Sequence, residues 1–81
     1  MTVAMMRPGQ AFRVKRIVLS REVGKRLADM GFTEGASGTV VRKSLFGGPM
    51  QVRIRHYEVV LRRSEAAGVE AELSPGDAAI A

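Results

Sequence analysis

The first regular pattern in the chain is an alternation of apolar and basic residues that begins after the turn signal Pro8-Gly9. Positions 12–15 read Phe-Arg-Val-Lys, and this period of two predicts a strand with one buried face. The alternation breaks at Lys15-Arg16, where two charged residues stand side by side before Ile17. We therefore expect a β-bulge here, which would return Ile17 to the buried side of the strand.

A helix is predicted over 20–30, where the apolar residues change to a period of 3.6. Ser20 suits the N-cap because its hydroxyl can accept a hydrogen bond from a free backbone N–H of the first turn. Gly31 suits the left-handed position just beyond the helix, and Phe32 would then fold back onto Leu27 in a Schellman closure. The predicted apolar face consists of Val23, Leu27 and Met30.

Four further short segments have the composition or the alternation of strands, and brief turns separate them. They lie at 39–42, 51–55, 58–62 and 69–73, with a tight turn predicted at His56-Tyr57 between the third and fourth strands. Short strands joined by brief turns favour a small barrel or sandwich. The pattern therefore predicts an all-β fold of about five strands, with one short helix inserted after the first strand.

The length of 81 residues allows one domain. We expect residues 8–73 to form it, with a flexible leader at 1–7 and a disordered tail at 74–81. No apolar run approaches the roughly 20 residues that would span a bilayer. The apolar start of the chain also lacks the charge and cleavage pattern of a signal peptide. These features predict a soluble, unexported, cytoplasmic protein.

Residue types that carry enzymatic chemistry are scarce. The sequence has no cysteine and one histidine, so neither a catalytic triad nor a thiolate metal site can be assembled. Gly47-Gly48 lacks the Gly-Lys-Ser/Thr ending of a phosphate-binding loop. His56 and Glu58 could share a strand face, which would give only a weak two-ligand site. We therefore predict no enzymatic activity, no catalytic residue, no cofactor and no resident metal.

Large apolar side chains flank two glycines in the loop between the second and third strands. Two interpretations stay open: these side chains fold back and plug the barrel, or they form an exposed contact patch. The candidate partner-binding residues are Leu45, Phe46, Gly47, Gly48, Pro49 and Met50, together with Arg42, Arg53 and Arg55.

Positive charge is concentrated in the body of the chain. Positions 7–65 hold thirteen basic and five acidic residues, a net charge of +8, whereas the rest of the chain is acidic. Such a body suits an anionic partner: nucleic acid, a membrane surface or an acidic protein. Stacking platforms for single-stranded nucleic acid are few, since the chain has three Phe and one Tyr. Six cations are expected near one another on the strands: Arg42, Lys43, Arg53, Arg55, Arg62 and Arg63.

Several segments resemble the FeoA family, in register from about Pro8 to Leu73. The run 26–35, Arg-Leu-Ala-Asp-Met-Gly-Phe-Thr-Glu-Gly, is similar to that family's helix ending in a Met/Leu-Gly-Phe/Met step with a later Gly. Positions 40–42 followed by Gly47 and Pro49 resemble its strand and its Ala-Pro-Leu-Gly-Asp-Pro loop. Two later stretches resemble its closing strands and its Leu-Arg-x-x-Glu-Ala turn: Val52-Arg53-Ile54, and Val60-Leu61-Arg62 with Glu65-Ala66.

The resemblance implies a small SH3-like β-barrel with a helical insertion. It also implies a non-catalytic cytoplasmic accessory of bacterial ferrous iron uptake that binds and modulates FeoB, the membrane transporter with a G-protein domain. Contact with a membrane would then come only through that partner, and an edge strand or the apolar loop could also mediate self-association. The sequence departs from the family at Leu45, often Pro, and at Gly48, often Asp, so a more flexible and less acidic loop is expected. The alternative is a basic SH3-like nucleic-acid-binding module.

Overall fold

A computed structural model describes residues 1–74. They form one antiparallel sheet with the strand order β4-β3-β2-β1-β5. The five strands and the helix after the first strand confirm the predicted all-β class with one helical insertion. The elements are β1 Ala11–Ile17, α1 Arg21–Asp29, β2 Ser37–Lys43, β3 Met50–Ile54, β4 Tyr57–Leu61, a short helix α2 Arg63–Ala66 and β5 Val69–Leu73, with 3-10 turns at Val3–Met5 and Leu45–Gly47.

The helix α1 begins and ends as its sequence predicts. The hydroxyl of Ser20 accepts a hydrogen bond of 3.3 Å from the backbone N–H of Val23. At the other end, the N–H of Phe32 donates to the carbonyl of Leu27 at 3.0 Å, and Gly31 has a φ of 110°. This is the Schellman closure, in which a left-handed glycine lets the chain turn back onto the helix. Leu27 and Phe32 are fully buried as a result.

The bulge predicted in the first strand is also present. Val14 pairs with Ala71, but the next pair along β1 joins Arg16 to Glu70, so the register shifts between them. Ile17 is half-buried and packs against the core, as the restored inward direction requires.

The first residues of the chain pack against the domain, which differs from the loose leader expected at 1–7. Val3 and Met6 are fully buried, and Thr2 forms a bridge with Glu70 at the outer edge of β5. The N–H of Ala71 donates to the carbonyl of Met1 at 2.9 Å. The apolar start has no helical or strand period, so its sequence pattern could not show that it fills the end of the core near β5 and α2.

Two other expectations concern chain ends and turns. The turn between β3 and β4 is formed by Arg55-His56, one residue earlier than predicted, because Ile54 pairs with Tyr57. Of the tail expected at 74–81, only Ser74 lies within the described residues, and its N–H donates to the carbonyl of Ala11 at 3.0 Å. Within residues 1–74, no helix is long and apolar enough to cross a membrane.

Candidate partner-binding surface

The loop between β2 and β3 carries two large apolar side chains into solvent. Leu45 is 79% exposed and Phe46 is 100% exposed. Phe46 also has a left-handed backbone, with a φ of 59° and a ψ of 36°. That conformation costs about 1–2 kcal/mol for a residue with a Cβ. A bulky residue in such a conformation persists only where its surroundings hold it, and strained residues of this kind cluster at functional sites.

The guanidinium of Arg63 holds the loop in place. Its Nε donates to the carbonyl of Gly48 at 3.0 Å, and a terminal nitrogen donates to the carbonyl of Ser44 at 2.8 Å. The N–H of Ser44 also donates to the carbonyl of Pro49 at 3.0 Å, which closes the loop at its base. A more flexible loop was expected because Leu45 and Gly48 stand where the family often has Pro and Asp. The structure instead shows it closed by hydrogen bonds from a residue that sequence patterns did not associate with it.

Met50 does not belong to the exposed surface, although the sequence placed it there. It is the first residue of β3 and is 1% exposed. The period of two along β3 directs Met50, Val52 and Ile54 inward, so all three are buried. The two interpretations of the loop therefore apply to different residues: Met50 fills the core, whereas Leu45 and Phe46 project.

A further exposed apolar side chain lies on β4, beside the base of the loop. Val60 is 68% exposed and borders a hollow of about 180 Å³ that Pro49 and Arg42 also line. We call Leu45, Phe46, Pro49 and Val60 the loop patch, with Arg42 at its margin. Charged or polar residues usually cover such positions, so a cluster of exposed apolar side chains suggests a contact surface.

Arg53 and Arg55 lie apart from the loop patch, at the other end of β3. Three residues of strand, roughly 10 Å, separate Arg53 from the loop end. Arg53 donates to a carboxylate oxygen of Glu58 at 2.6 Å. Arg55 lies in the turn with a φ of 55° and donates to the carbonyl of Gly31 at 3.4 Å. The nine candidate residues therefore fall into three groups. These are the loop residues with Arg42, the buried Met50, and the basic pair Arg53 and Arg55.

The six predicted cations do not all face solvent as free charges. Arg63 binds the loop carbonyls, and Lys43 donates to the carbonyl of Ala4 at 2.9 Å. Arg62 precedes α2, where its backbone N–H donates to the carboxylate of Glu65 at 3.0 Å. Arg63 and Lys43 therefore use donors on backbone carbonyls, whereas the bond at Arg62 involves only its backbone and leaves the residue exposed.

Glu58 is held in its ionised form by its neighbours. Hydrogen bonds from Arg53 and then Gln51 lower the pKa of this carboxyl below its ordinary value of 4.5. The hydrogen bond from Gln51 measures 2.6 Å. Glu58 is therefore negatively charged at neutral pH and offsets one of the two arginines nearby.

The described residues contain no cluster of three or more His, Asp or Glu side chains that could hold a metal ion. His56 lies exposed in the β3–β4 turn. Sequence reasoning did not place Val60 in the site, and it named Arg63 only as one of six cations and not as a support of the loop. No local signal marks Arg63, because it contacts carbonyls 15 and 19 residues earlier in the chain.

Comparison with known proteins agrees with this architecture. A model of the FeoA domain family matches residues 1–73. The Fe(2+) transport protein A/Fe(2+) transporter FeoB fusion protein of Porphyromonas gingivalis is 43% identical over 54 residues. That match covers 67% of this chain and only 6% of the fusion protein.

Solved structures show the same fold. Iron(II) transport protein A from Clostridium thermocellum has a TM-score of 0.86 and 32% identity, over 94% of this chain and 47% of that one. Stenotrophomonas maltophilia FeoA complexed with zinc, described as a prokaryotic SH3 domain protein, has a TM-score of 0.78 and 25% identity. The match covers 89% of each chain.

These findings define a small domain of SH3-like fold, of the class that accompanies ferrous iron transport. The predicted SH3-like barrel is thereby confirmed. The chain belongs to the FeoA domain family.

Proposed function

We propose that this chain is a cytoplasmic accessory protein of bacterial ferrous iron uptake, which binds the cytoplasmic part of a FeoB-type transporter through the loop patch and modulates it. The observation that carries the proposal is Phe46, fully exposed on a loop that Arg63 holds in one conformation. The proposed contribution is a binding surface and not a reactive group.

The energetics of recognition support this use of the loop. A few residues usually dominate the binding energy of an interface, and aromatic side chains in its centre are prominent among them. Burying a Phe side chain contributes about 1.5–3 kcal/mol. Because the hydrogen bonds from Arg63 already order the loop, less conformational entropy is lost when a partner covers it.

The fusion relative supports the choice of partner. In that Porphyromonas gingivalis protein the two names, Fe(2+) transport protein A and transporter FeoB, belong to one polypeptide. A covalent link keeps two modules at high local concentration, which is useful when they bind one another.

The nucleic-acid alternative is less well supported by the surface. Arg53 pairs with Glu58, and Arg63 and Lys43 bind carbonyl oxygens, so part of the cationic composition is already engaged. Phosphate contacts also fade steeply with salt. An anisotropy titration with single-stranded RNA and DNA at physiological salt distinguishes the two functions.

The proposal is tested by capture of the cytoplasmic domain of the FeoB-type transporter from the same organism, at low salt and in both guanine-nucleotide states. We expect saturable binding by the native chain and strong weakening by Phe46→Asn, since Asn tolerates the left-handed backbone. Val18→Ala is the matched control, because Val18 is another exposed apolar residue, 52% accessible, outside the loop patch. Absence of binding at high micromolar concentration in either state would contradict the proposal.

A further inference from the structure

A polar cleft lies at the end of β3 that is remote from the loop patch. It has a volume of about 150 Å³, and two arginines and three hydroxyl side chains line it. Within residues 1–74, no acidic side chain lines this cleft. The lining consists of Arg53 and Arg55, of Ser37, Thr39 and Ser74, and of Ala11, Phe12 and Gly38.

The position of Arg55 depends on two unusual backbone sites. Arg55 itself has a φ of 55°, which places it in the left-handed region at the β3–β4 turn. It lies over Gly31, where a Cβ would stand 3.3 Å from its Cδ. Its guanidinium donates to the carbonyl of Gly31 and to Thr33 Oγ1, the latter at 3.0 Å. A guanidinium has five N–H donors, so donors are left over for a ligand.

The charge of the cleft region suits a singly charged ligand. Arg53 and Arg55 contribute two positive charges, and the ionised Glu58 beside Arg53 offsets one of them. A carboxylate carries one negative charge, and a guanidinium fork matches its two oxygens. A phosphate monoester is nearly dianionic at neutral pH and would be only half neutralised here.

We propose that this cleft binds the carboxylate of an aspartate or glutamate side chain on an acidic segment of a protein partner. The two guanidiniums pair with the carboxylate oxygens, the hydroxyl groups supply further hydrogen bonds, and the half-buried Ala11 contacts the methylene groups. The proposal rests on the proposed function in so far as the partner is the transporter. It adds a second contact, of different chemistry, on a different part of the surface.

The test is an amide NMR titration at low salt with a capped tetrapeptide that has two glutamates between glycines. We expect saturable shifts confined to residues 37–39 and 53–56. Arg55→Gly removes the guanidinium and keeps the left-handed backbone, so binding should weaken about tenfold or more, as for loss of a charge-assisted hydrogen bond. Glu58→Gln removes the competing carboxylate, so binding should become severalfold tighter.

Arg21→Ala is the matched control, because it removes one positive charge from an exposed residue that does not line the cleft. Equal weakening by Arg21→Ala and Arg55→Gly, or shifts spread over all basic residues, would overturn the proposal. Tighter binding of inorganic phosphate than of the peptide would overturn the carboxylate assignment. The gain expected for Glu58→Gln does not depend on the folding of the arginine variant.

The titration contains no transporter, so its outcome is separate from that of the loop-patch test. Phe46→Asn should leave the affinity for the peptide unchanged. If the peptide binds and the transporter domain does not, the cleft proposal is supported and the proposed function fails. If the transporter domain binds and the peptide does not, only the cleft proposal fails.

Discussion

Replacing Phe46 by glycine should stabilise the fold while it weakens binding to the partner. Phe46 is 100% exposed, so its removal costs no buried apolar area. Its φ of 59° costs about 1–2 kcal/mol with a Cβ and nearly nothing in glycine. Glycine also has greater conformational freedom in the unfolded chain, which lowers the free energy of unfolding by about 0.4–1 kcal/mol. The net gain in the free energy of unfolding should be about 1 kcal/mol.

Thermal and urea unfolding measure this gain directly. A stabilisation of 1 kcal/mol raises the Tm of a domain of this size by about 4–8 °C. Phe46→Asn is the companion variant, because Asn tolerates the left-handed region without the added freedom of glycine in the unfolded chain. A lower Tm for both variants would refute the reasoning, since it would mean that the Phe46 side chain packs on the folded domain.

The binding effect should have the opposite sign. If the partner buries the Phe46 ring, its loss removes about 1.5–3 kcal/mol. This corresponds to an increase in Kd of about 10- to 150-fold, which calorimetry with the transporter domain can resolve. A variant that is more stable and binds equally well would show that the strain at Phe46 has no role in recognition.

Three further predictions concern the residues that support this surface. Leu27→Ala should lower the free energy of unfolding by about 2–5 kcal/mol, because it leaves a cavity beneath α1, and an unchanged urea midpoint would contradict this. Arg63→Ala should cost about 2 kcal/mol through loss of its bonds to two loop carbonyls, and should broaden the amide signals of the loop; native loop spectra in the variant would count against it. Glu58 has a lowered pKa in the folded state, so its stabilising contribution is complete above its ordinary value of 4.5 and is lost as pH falls through the folded value. Urea unfolding at acidic pH should show a shallower loss of stability for Glu58→Gln than for the native chain, and identical slopes would contradict the pairing with Arg53.

Features governed by neighbouring residues could be predicted from the sequence. The cap at Ser20, the closure at Gly31 and the bulge before Ile17 each depend on a few consecutive residues, whose types favour one local geometry. The inward face of β3 follows in the same way from the period of two. Met50 was assigned to the loop only because the start of that strand was placed one residue late.

Features governed by distant contacts could not be predicted. Val3 and Met6 fill the core because β5 and α2 leave space there, which no pattern in the first residues reveals. Arg55 leaves the strand face because the register of β4 places the turn one residue earlier. The hydrogen bonds from Arg63 to the loop depend on the position of α2, so a basic residue that seemed free for a partner holds the loop instead.

The most direct measurement is hydrogen exchange of the native chain, alone and with saturating transporter domain. If the loop patch is the contact surface, the amides of residues 44–48 and of Val60 should gain protection, while the outer edge of β5 exchanges as before. Protection that appears elsewhere and spares the loop, or none at all in the presence of excess transporter domain, would contradict the account.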